Sequence, residues 1–99
     1  MDNFYLYKIY LSLIDSEEHA QVLSNASIIK TIKDVFDYCV VTFAYDIFLE
    51  EVEPIVIIEV PGKAKHEEKI REYMNQVLLR FNANGYTLSK QELLKYELK

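Results

Sequence analysis

Lys8 and Glu59 are the charged side chains set inside otherwise apolar runs, Phe4 to Leu13 (FYLYKIYLSL) and Ile55 to Val60 (IVIIEV). A carboxyl in apolar surroundings gains proton affinity, which suits general acid–base work. No histidine or cysteine accompanies Glu59 in the pattern, however, so the structural reading is favoured. An unpartnered buried charge costs several kcal/mol. Lys8 and Glu59 are therefore expected to form a buried charge pair, with each other or with Asp46.

The other reactive residue types form no constellation. Cys39 is the single cysteine, with no basic neighbour in sequence, and reads as a small buried apolar residue. His19 and His66 lie far apart and outside any HExxH-type spacing. Gly62 and Gly85 are the only glycines, so no phosphate-cradling loop can be built. Neither a nucleophile elbow nor a triad is present. The sequence assigns no catalytic residue, no metal ligand and no cofactor, and points away from an enzyme.

The net charge of −5 is unevenly spread. Between Asp34 and Gly62 stand seven acids (Asp34, Asp37, Asp46, Glu50, Glu51, Glu53, Glu59) and neither Lys nor Arg. Lys63 to Lys99 holds eight bases against five acids. An acidic surface of Asp46, Glu50, Glu51 and Glu53 could steer a basic partner. Nucleic acid is disfavoured, because the net charge is negative and the basic segment 63–71 is interleaved with Glu67 and Glu68. No uncharged apolar run reaches the ~20 residues of a membrane span, and the start carries Asp2 rather than a basic stretch. A soluble, cytoplasmic protein is expected.

These residues must be positioned by elements that the periodicity reveals. The Phe4–Leu13 run alternates as a strand with one charge, hence an interior strand. Asp15 and Glu18 resemble a capping box ahead of a helix that runs to Cys39, kinked or split near Asn25. Val40 to Leu49 alternates as an edge strand. Pro54 and Pro61 bracket the β-branched Ile55–Val60 strand, apolar on both faces and so central. Ile70, Tyr73, Met74, Val77, Leu78 and Phe81 form one apolar helical stripe, ended at Gly85. Leu94 to Leu98 alternates as a last edge strand, although Gln91 to Leu94 could be helical. The order β-α-β-β-α-β predicts one α+β domain over residues 1–99. Its four-stranded antiparallel sheet carries two helical segments on one face, in the ferredoxin-like order 4-1-3-2.

If both helices cover one face, the other is left open. Its expected members include Phe4, Leu6, Tyr10, Phe48, Ile55 and Ile57. Large apolar patches of this kind mark interaction sites, so a homodimer or another protein partner through this face is expected. Two alternatives remain: a nucleic-acid-binding module using the basic helix 63–71, and a small ligand-binding dimer with a pocket near Glu59 and Tyr10.

In length and texture, including FYLYKIYLSL and EPIVIIEVPGK, the chain resembles small proteins of unknown function from filamentous and rod-shaped viruses of hyperthermophilic archaea. The resemblance implies an accessory protein acting on a host factor in the host cytoplasm, with high thermal stability. It assigns no site residue.

Overall fold

A computed structural model describes residues 3–14, 25–48, 51–83 and 87–98, with side chains for 3–12, 26–45, 55–83 and 92–98. The strand β1 (Phe4–Ile14) leads to helix α1 (Asn25–Lys33), and β2 (Val40–Phe48) to β3 (Glu51–Lys63). A single 3-10 turn (Ala64–His66) joins β3 to α2 (Glu67–Ala83), and β4 (Thr87–Leu98) completes an antiparallel sheet. The sheet order is β2-β3-β1-β4, which is 4-1-3-2 from the other edge. The interior strands are β1, with Lys8 as its one charge, and β3, whose Ile55–Val60 centre is the apolar run with Glu59 as its one charge. Each can bury side chains on both faces there, whereas edge strands are better served by charge.

Alternation then selects the core. Tyr7, Ile9 and Leu11 of β1 and Val56, Ile58 and Val60 of β3 point the same way. They meet Ile28, Ile32 and Phe36 from the α1 region and Ile70, Met74, Val77 and Phe81 of α2. Both helices therefore pack on one face of the sheet. The predicted α2 stripe is confirmed, with Tyr73 and Leu78 at its partly buried margin. Phe36 and Tyr73 tie the two helical segments through an edge-to-face contact, 5.7 Å between centroids at 89°.

Several expectations are corrected. The prolines do not end β3. Pairing with β1 covers Ile55 to Lys63, and pairing with β2 covers Glu51 to Glu59. Pro54 and Pro61 thus each lie where β3 has a neighbour on one side only. The absent N–H can face that vacant side, which is the positional rule for proline in sheets. The helix expected to run to Cys39 ends at Lys33, and Val35 and Phe36 continue as a turn bonded back to Ile32. Helix α1 starts at Asn25; the segment before it, with the expected cap at Asp15 and Glu18 and the first part of the helix expected to divide near Asn25, lies outside the described residues, as does Gly85. Finally, β4 includes Gln91 to Leu94 as strand. Tyr10 pairs with Glu92 but Leu11 with Lys90, so Gln91 is an extra residue at a β-bulge. The bulge puts the two halves of β4 out of phase, which hides its first half from a period-two reading.

The end of β3 is held by a tight corner. The Lys63 N–H donates to His66 Nδ1 at 3.0 Å, and the Tyr7 hydroxyl donates to the Lys63 carbonyl at 3.1 Å. At Gly62 a Cβ would lie 3.3 Å from Ile70 Cδ1 and 3.4 Å from the Tyr7 ring. Glycine there lets the start of α2 approach the sheet.

Candidate interaction face

The face of the sheet opposite the helices is assembled by register. Across the sheet from β2 to β4, one row reads Val40, Glu59, Lys8, Leu94. The next reads Thr42, Ile57, Tyr10, Glu92. On the other side of the first row lie Pro61, Leu6 and Tyr96, then Lys63, Phe4 and Leu98. Phe4 is 56% exposed, Val40 60%, Tyr96 45% and Leu98 47%, so apolar surface stands open at both edges and at one end. Leu6, Tyr10 and Ile57 between them are half-buried by their neighbours.

Of the predicted surface residues, Phe4, Leu6, Tyr10 and Ile57 are brought together on this face. Ile55 shares the face by alternation but is buried at 7%, beside its register partner Ser12 at 2%, so it is not available to a partner. The side chain of Phe48 lies outside the described residues. So do those of Asp46, Glu51 and Glu53, and all of Glu50. Tyr96, Leu98 and Val40 belong to the face but were not singled out. The alternation of β4 and β2 contained them, and the register was needed to place them.

Lys8 and Glu59 do stand opposite one another, as Cα partners on neighbouring central strands. The expected burial is corrected: both side chains are half-exposed, and no ion pair joins them among the described residues. Lys8 turns instead toward β4, with Nζ 5.5 Å from the Tyr96 ring centroid. Lys63 makes the same kind of contact with Phe4, at 5.4 Å. Both lysines thus lay aliphatic stems on apolar surface and set their charges over aromatic faces. Water reaches both side chains.

Two clefts flank the loop between α1 and β2, where Tyr38 is 84% exposed. One, of about 310 Å³, is lined by Phe36, His66, Lys69, Ile70 and Tyr73 on the helical side. The other, of about 490 Å³, includes Leu6, Glu59 and Pro61 and so opens on the uncovered face; Tyr10 is not among its lining residues. Cys39 in this second cleft has its thiol pushed up by burial, an effect that Lys33 partly offsets. A raised thiol is a poor nucleophile at neutral pH. The clefts hold no nucleophile–base–orienter geometry. Among the described residues no group of three His, Cys, Asp or Glu could hold a metal ion. Among them, too, no helix is long and apolar enough to cross a membrane.

No family model matches the chain, and no curated protein matches it. A solved structure of a de novo designed protein, Foldit4, is similar over 97% of this chain and 99% of its own, at a TM-score of 0.49 and 14% identity. That similarity carries no function.

Proposed function

We propose that this chain is a non-enzymatic protein-interaction module that docks its partner on the uncovered face of the sheet. The observation that supports it is the composition of that face. Phe4, Leu6, Tyr10, Ile57, Tyr96 and Leu98 form an apolar field around one acid, Glu59, and one base, Lys8, on adjacent strands, which no ion pair joins among the described residues. Patches of this kind on monomers mark interaction sites. The partner that fits is flat and apolar, with an ammonium to meet Glu59 and a carboxylate to meet Lys8. Aromatic anchors ringed by polar groups are the usual seat of binding energy in such contacts. Taken with the resemblance to small archaeal-virus proteins, the module would be a viral accessory protein.

A photoreactive benzophenone side chain tests the docking face. Placed at Tyr96 it should give protein adducts in native lysate that excess wild-type chain competes away. Placed at Glu72, exposed on α2 on the other side of the molecule, it should give none. Equal labelling from both positions, or none from either, would overturn the assignment of the face.

A further inference from the structure

We infer that the partner on this face is a second copy of the same chain, in a two-fold dimer in which each Lys8 meets the other chain's Glu59. The inference rests on the reading of that face as a docking surface, and the register of the strands supplies the argument.

The sheet order β2-β3-β1-β4 puts two strands on each side of the line between β1 and β3. Consider a second copy facing the first, related by a two-fold axis along that line. The operation lays β1 on the partner's β3, and β4 on the partner's β2. Because Lys8 and Glu59 are Cα partners across that same line, each Lys8 comes to lie over the other copy's Glu59. Two equivalent ion pairs result. The row Val40, Glu59, Lys8, Leu94 is read as apolar, acid, base, apolar. Reversed, it is apolar, base, acid, apolar, which is its own complement. The neighbouring row behaves alike: Ile57 meets Tyr10, and Thr42 meets Glu92 as a hydroxyl donor to a carboxylate. Two-fold interfaces require this kind of self-complementarity. Two sheets of the same twist also pack face to face with their strands nearly aligned.

The charges exclude the competing arrangements. A two-fold axis across the strands at the same row would set Lys8 on Lys8 and Glu59 on Glu59. A slide of two residues along the strands would set Lys8 on Ile57 or Pro61 and leave all four charges unpaired in a dehydrated contact. Lys8 and Glu59 therefore specify the register of the dimer as well as contributing to its affinity. Within the chain Lys8 turns to the Tyr96 ring, and no ion pair joins it to Glu59 among the described residues, so both charges are available to a second copy.

Charge reversal tests this without disturbing the core. Sedimentation equilibrium on the full chain at about 1–100 µM should show wild type as a dimer of the 11.7 kDa chain. Lys8→Glu and Glu59→Lys, each alone, should lose association by ~100-fold or more, because like charges meet twice. Mixed in equal amounts, the two variants should form a heterodimer of wild-type affinity, since every contact is again acid on base. That recovery also proves both variants folded. A mixture no tighter than its components would overturn the inference, as would a monomeric wild type at 100 µM. In the latter case, Tyr96-specific benzophenone adducts of another mass would leave the docking face standing with a different partner, and their absence would remove both.

Discussion

The two faces of the one sheet are built from the same strands and nearly the same residue types, yet they solve opposite problems. On the helical face Tyr7, Ile9, Ile58, Val77 and Phe81 are 0% exposed, and the sole hydroxyl among them has a backbone acceptor. On the other face, aromatic and aliphatic residues of equal size stand beside Lys8, Glu59 and Lys63, and several remain about half exposed. A face that is closed within the chain satisfies every polar group internally. On the open face Lys8 and Glu59 have no ion pair with each other among the described residues. Apolar content alone does not separate the two faces; the presence of Lys8 and Glu59 on one of them does.

Breaking the closed face should be the costliest change. Phe81→Ala should destabilise the chain by about 3–5 kcal/mol through lost burial and a residual cavity, whereas Ile57→Ala on the open face should cost about 1 kcal/mol or less under dilute conditions. Urea denaturation of both variants checks this, and equal losses would erase the distinction between the faces. The corner at Lys63 sharpens the comparison, because it joins the two sides. Gly62→Ala should cost about 1–2 kcal/mol, since its Cβ would press on Ile70 and the Tyr7 ring. A neutral result would mean that α2 can shift away at no cost.

Tyr7→Phe should cost about 1 kcal/mol at neutral pH by leaving the Lys63 carbonyl without its donor. Its pH dependence has a definite sign. Burial, then the nearby Glu67, raises the Tyr7 pKa above its ordinary value of 10.0, while Lys95 opposes them. The unfolded chain therefore gives up this proton first. The stability advantage of wild type over Tyr7→Phe is whole below about pH 10 and declines as pH rises through the higher folded value. Thermal melts of the pair from pH 8 to 11 would show it, and a constant difference across that range would contradict the burial of this hydroxyl. The smallest effect belongs to the exposed pair of Lys95 and Glu67, 3.5 Å apart with side chains 43% and 35% exposed. Lys95→Met should change stability by about 0.5 kcal/mol or less. A larger loss would point to the contact of Lys95 with the Tyr5 ring, 4.8 Å away.

Much of the architecture was legible because it rests on local pattern. Alternation in Phe4–Leu13 and the unbroken apolar run at Ile55–Val60 marked the interior strands, and the stripe from Ile70 to Phe81 marked the helix that covers them. The first half of β4 was not legible, because the bulge at Gln91 inverts its phase. The prolines of β3 were misread as strand ends, because a linear chain does not show that β1 and β2 are offset along β3. Lys8 was placed on the open face, whereas Lys63, read as part of a basic helix 63–71, is the last residue of β3; their contacts with Tyr96 and Phe4 join residues distant in sequence.

Residue types and their period, by themselves, determined that this chain makes an antiparallel sheet with helices on one side, since side-chain direction follows backbone repeat in each element. The pairing register decided what the open side is. Whether Lys8 stands beside Glu59, and whether a row reads the same when reversed, depends on how strands slide past one another, and that is settled only when the tertiary contacts of the core lock them in place.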